Sequence, residues 1–85
     1  MKADHKLIKR KISIAKGQLD GILKMIDDDN YCMEISNQIL AVIALLKNAN
    51  TEIISAHLAH CVKDANSEEL DSKIEEIKTL LKRMN

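Results

Sequence analysis

The chain has no proline, tryptophan or phenylalanine, a single aromatic residue (Tyr31) and only two glycines in 85 residues. A chain so poor in turn formers cannot supply the repeated tight turns of an all-β domain. Long apolar runs are also missing. The longest, "ILAVIALL", has eight residues, well short of the roughly 20 of a membrane span. The N-terminus "MKADHKLIKRK" is charged from its start and has no signal-peptide core. The expectation is a cytoplasmic protein with no membrane partner, in which Cys32 and Cys61 are thiols rather than a structural disulfide. Net charge is absent too, but only in the sum. Residues 1–24 carry seven Lys or Arg against Asp4 and Asp20, whereas the rest carries six basic against eleven acidic groups. A basic N-terminal third could face nucleic acid, where phosphate contacts dominate binding. A solvated helix face is the plain alternative for a charge excess of this size.

What the chain does contain is Ile, Leu, Ala, Val and Met, within an apolar fraction of 46%. This is helix-forming material, and it predicts an all-α fold in one small domain, residues 1–85. Ile8, Ile12, Ala15, Leu19, Ile22 and Ile26 recur at spacings of three and four, which defines a helix over about 5–27. "DDDN" closes it and offers Asn30 as an N-cap for the next. The second stripe is Ile35, Ile39, Val42, Leu46, Ala49 and Ile53. No breaker appears before "KDANS", so this helix runs about 30 residues, or about 45 Å. Asn66 and Glu69 resemble a capping box before a third helix with Leu70, Ile74, Ile77, Leu81 and Met84 on its stripe. The central helix is apolar all round from Ile39 to Leu46, more than two neighbours can cover. The remainder must be hidden against copies of the same chain.

"HLAHC" places His57 and Cys61 one turn apart on one face of that long helix. Cys32 lies 29 residues before Cys61, which at about 100° per residue returns to within about 20° of the same direction. Three such residues cannot meet within one chain, because 29 helical residues span about 43 Å and metal–ligand bonds are about 2.0–2.3 Å. An antiparallel partner helix would bring Cys32 of one protomer opposite His57 and Cys61 of the other. Two thiolates and an imidazole form a soft donor set that suits Cu(I); zinc normally takes a fourth ligand and Ni(II) prefers more nitrogen and oxygen. Spacing alone leaves three readings open: packing cysteines, metal ligands and redox thiols. His5 and His60 point elsewhere, and Met25, Met33 and Met84 form no copper motif. No nucleophile–base–acid set is present beyond the Cys/His pair, which argues against an enzyme.

"GQLDGILKMIDDDNYC", "QILAV" and "HLAHCV" closely resemble the copper-sensing repressors of the CsoR/RcnR family, and the resemblance runs from about residue 6 to 82. It implies a three-helix protomer with a long central helix. It further implies an antiparallel dimer with a four-helix core, and a disc-shaped homotetramer built as a dimer of dimers. Operator DNA would be bound through surface groups without a helix-turn-helix. Cys32, His57 and Cys61 match the Cu(I) ligands. Nickel and cobalt sensors carry histidine where Cys61 stands. Formaldehyde sensors keep a cysteine at Cys32 but differ at Cys61 and at the N-terminus. Persulfide sensors keep both cysteines and lack the histidine at His57. Tyr31 and Glu76 match a pair that links the ligand histidine to DNA affinity. Lys11 matches a basic DNA-binding position, while Asn48 stands where copper sensors carry an arginine. Lys9, Arg10 and Lys16 complete the basic candidates of the first helix. The sequence therefore reads as a repressor that releases DNA on binding Cu(I). The alternative is a thiol-based repressor sensing reactive sulfur through Cys32 and Cys61; a metal buffer with no DNA role is a third reading.

Overall fold

A computed structural model describes residues 1–64 and 67–84, and the side chains of all of these except 61–64 and 67. It contains three helices: α1 (His5–Asp27), α2 (Cys32–Asp64) and α3 (Ser67–Arg83), with no strand among the described residues. The protomer is thus the all-α, three-helix unit that the periodicity predicts, with a central helix of 33 residues.

α1 begins where Asp4, in an extended conformation, turns its carboxylate onto the amides of Lys6 (2.9 Å) and Leu7 (3.2 Å). Two of the orphan donors of the first turn are satisfied in this way. The helix ends in a left-handed residue, Asp29, with φ 55°. The Asp29 amide donates to Ile26 O (3.0 Å) and the Asn30 amide to Met25 O (3.0 Å), the paired bonds of a Schellman ending. Asn30 therefore belongs to the closure of α1 and is not the N-cap of α2, a correction to the sequence expectation. Tyr31 takes that place: its carbonyl accepts from Glu34 (3.0 Å) and Ile35 (3.2 Å). The capping box expected at Asn66 lies outside the described residues.

α2 is the shared backbone of the fold. α1 packs along its N-terminal part, α3 packs on its C-terminal part, and among the described residues α1 and α3 do not touch. Ile8, Ala15 and Ile22 of α1 are buried, as are Val42, Ala49 and Ile54 of α2 and Ile77 of α3. Ala15, Ile22 and Val42 form the centre of the α1–α2 contact, with Ile35 and Leu45 packed against it. The stripes of α1 and α2 therefore each split in two. Every seventh residue (8, 15, 22 and 35, 42, 49) faces the neighbouring helix or flanks that contact. The alternate positions Ile12, Leu19 and Ile26 on α1, and Ile39 and Leu46 on α2, stay 41–54% exposed.

The segment Cys32–His60 is long and apolar enough, by length and composition only, to cross a membrane. Short polar residues interrupt its apolar ones, so no unbroken run is long, while Glu34, Lys47 and Glu52 are the only Asp, Glu, Lys or Arg in that stretch. The same composition describes a helix that others cover on several sides.

The left-handed Asp29 carries a steric cost that glycine escapes, about 1 kcal/mol for a single residue in this region. Asp29→Gly also removes a carboxylate from the negative end of the α1 dipole. The variant is expected to be more stable by about 0.5–1 kcal/mol, a rise of about 2–8 °C in melting temperature for a domain of this size. Thermal unfolding by circular dichroism, with both proteins at the same protomer concentration, checks this.

Candidate metal centre and nucleic-acid interface

The ligand candidates are distributed along α2 and not gathered in one protomer. Cys32 is the first residue of the helix and is exposed. His57 stands 25 residues further on, about 38 Å along the axis, and is half-buried. Cys61 lies in the helical backbone of α2; its side chain lies outside the described residues. Among the described residues no three metal-binding side chains converge.

The face between them is the informative part. Counting about 100° per residue from Cys32, the positions Ile39, Ile43, Leu46, Asn50 and His57 all fall within about 40° of its direction. Ile39, Ile43 and Leu46 are the residues that α1 and α3 leave 41–43% exposed. Cys32 and His57 thus mark the two ends of a strip that carries no charged side chain, exposed at Cys32, Ile39, Ile43 and Leu46 and half-buried at Asn50 and His57. Only an antiparallel second copy would bring the Cys32 end of one such strip to the His57 end of another.

His57 also lines a pocket of about 220 Å³ between α2 and α3, together with Ile53, Ile54, Glu76, Ile77 and Leu80. The walls are aliphatic apart from the imidazole and the carboxylate. Burial of Ile54 and Ile77 fixes the register of α3 on α2, and that register sets Glu76 beside His57. Tyr31, 66% exposed, precedes α2 at the opposite end of the protomer from Glu76. Within one chain the structure brings His57 and Glu76 to one pocket and leaves Tyr31 and Cys32 apart from them.

The basic candidates divide as well. Lys9, Arg10 and Lys16 are exposed on the solvent side of α1. Lys11 is turned toward α2, its side chain only 19% exposed, and its Nζ donates to Asn48 Oδ1 (2.5 Å) and lies 3.5 Å from Glu52 Oε1. Asn48 and Glu52 are one turn apart on α2, so their oxygens form a two-point receptor for the ammonium. Neither partner of Lys11 is evident from composition or periodicity. Finding them requires the register of α1 on α2, which the heptad positions Ala15 and Val42 supply only once they are known to meet.

Residues 4–83 match the family model described as metal-sensitive transcriptional repressor, and the chain belongs to that family. It is 33% identical over 93 residues to the copper-sensing transcriptional repressor RicR of Mycobacterium tuberculosis, an alignment that covers 99% of this chain and 97% of the relative. It is 40% identical over 68 residues to the copper-sensing transcriptional repressor CsoR of Bacillus subtilis, covering 73% of this chain and 67% of the relative. A third relative, the CsoR of Mycobacterium ulcerans, is 36% identical over 55 residues, covering 65% and 47% of the two chains. The family is one of transcriptional repressors and not of enzymes. Membership of such a family implies a metal ligand and binding to operator DNA.

Proposed function

We propose that this chain is a Cu(I)-responsive transcriptional repressor. It binds operator DNA in the metal-free state and releases it when Cu(I) occupies a site between two protomers. The observation that carries the reading is the uncharged strip of α2 with Cys32 at one end, His57 at the other and the exposed Ile39, Ile43 and Leu46 between them. An antiparallel copy seated on that strip joins Cys32 of one protomer to His57 and Cys61 of the other, twice over by symmetry. The donor set, two thiolates and one imidazole, matches a soft monovalent ion. The copper-sensing names of the relatives support the same ion.

The remaining exposed apolar residues, Leu40 of α2 and Leu23 of α1 at 60–61% exposure among them, suit the further contacts of a disc-shaped homotetramer. We place the protein in the cytoplasm, where operator DNA and a reducing thiol pool are found. The exposed Cys32 thiol supports one second reading, a repressor of the same family that senses persulfide or other reactive sulfur through Cys32 and Cys61.

In this reading the chain's own residues do the signalling. A ligand imidazole binds through one ring nitrogen, and its other nitrogen donates to a nearby acceptor. Glu76, on the same pocket wall as His57, is that acceptor, and Tyr31 of the partner subunit approaches from the other side of the interface. Fixing the imidazole changes the packing of α3 on α2 and favours the state with low DNA affinity.

Three outcomes test the proposal. In an anaerobic chelator competition the reduced protein should take up one Cu(I) per protomer, and Cys32→Ala should lose tight binding, because only two donors remain. Tight copper binding by that variant removes Cys32 from the ligand set, and a response to persulfide without a response to Cu(I) selects the second reading.

Glu76→Ala and Tyr31→Phe should keep the copper affinity of the free protein while weakening copper-driven DNA release. The coupling lost is expected to be about 1–3 kcal/mol. Copper competition and fluorescence anisotropy on each variant measure the two quantities separately.

DNA affinity should fall steeply with salt, each phosphate neutralised by Lys9, Arg10, Lys11 or Lys16 adding about 0.9 to the slope of log K against log salt. An operator complex indifferent to salt would exclude the α1 surface.

A further inference from the structure

Among the described residues, Lys11 alone of the four basic candidates of α1 is paired with a carboxylate within its own protomer. Its ammonium has three donors: one goes to Asn48 Oδ1 and one faces Glu52 Oε1 across 3.5 Å, with Lys11 19% and Glu52 48% exposed at the side chain. A phosphate approaching Lys11 therefore meets the charge of Glu52 as well. It must either share the ammonium with a second anion or displace it. We propose that Glu52 is an affinity-setting residue of the DNA interface, a built-in competitor that holds Lys11 away from phosphate and keeps operator affinity below what the basic surface would otherwise give. The inference rests on the reading of α1 as the DNA surface.

The arrangement has the features of a competitor and not of a support. Asn48 alone is a neutral acceptor that orients Lys11 without cancelling its charge. Glu52 adds the opposite charge from the next turn of the same helix, so its contribution is electrostatic. It is partly exposed, so it is weakened by salt and within reach of an incoming phosphate. Glu52→Gln retains the shape and an amide oxygen that can accept from Lys11 while removing the charge, so the two helices should stay in register.

The experiment is a double-mutant cycle on operator affinity, measured by fluorescence anisotropy on the metal-free tetramer over a salt series. Glu52→Gln is expected to tighten operator binding by about three- to tenfold at low salt and to steepen the salt slope by up to about 0.9, one additional phosphate contact. In the Lys11→Ala background the same Glu52→Gln change should have little effect, because the competed ammonium is gone. Weaker binding by Glu52→Gln overturns the proposal, since Glu52 would then position Lys11 for DNA. Equal tightening with and without Lys11 also overturns it, leaving only general repulsion between Glu52 and the DNA. If Lys11→Ala leaves affinity unchanged even in the Glu52→Gln background, where the ammonium is released, the reading of Lys11 as a DNA contact fails instead. Circular dichroism and light scattering on each variant verify that helix content and assembly are retained.

Discussion

A helix of 33 residues, apolar on more than one side, rests on two partners that are both too short to enclose it. The covering of α2 is the constraint from which the rest of the structure follows. α1 takes the face of Ile35, Val42 and Ala49, and α3 takes the region around Ile54, which leaves Ile39, Ile43 and Leu46 in the open. Burying a large aliphatic side chain stabilises by about 1.5–3 kcal/mol. A row of them left in water is the surface on which the proposed association with a second copy rests. The metal-ligand candidates lie on the same row, so the proposed assembly and the proposed metal chemistry draw on one surface.

Much of this could be read from the residues alone. Three- and four-residue spacing of Ile, Leu, Val and Ala located all three helices, and the breaker "DDDN" located the first turn. The excess of apolar surface on α2 was legible too, and it appears as the exposed Ile39, Ile43 and Leu46. What spacing could not supply was the division of each stripe between neighbours. Ile8 and Ile12 look equivalent in sequence, yet one is 6% exposed and the other 44%, because a stripe records that a residue avoids water and not which surface it meets. Asn30 failed as an N-cap for a similar reason. Its side chain suits the role, but its backbone amide was already committed to closing α1 through Met25.

The site was partly readable in the same way. The positions of Cys32, His57 and Cys61 on one helical direction follow from arithmetic on 100° steps. The proximity of Glu76 to His57 depends on how α3 is seated on α2 and came from the family resemblance. The partners of Lys11 were hidden altogether: Asn48 and Glu52 lie 37 and 41 residues away from it, with nothing in their local sequence to connect them. Contacts between elements are the class of information that periodicity leaves out.

Among the described residues α1 and α3 each rest on α2 and not on one another, which fixes the mechanics of any communication between them. Within a protomer the helices are connected in series, like two arms clamped to one rod. A displacement of α3 at the His57 pocket has no shortcut to the basic surface of α1; it must appear first as a rotation or slide of α2. How much arrives then depends on the stiffness of the rod between residues 49 and 57. An unbroken helix with neither glycine nor proline in that stretch is the stiffest element a chain of this size can provide.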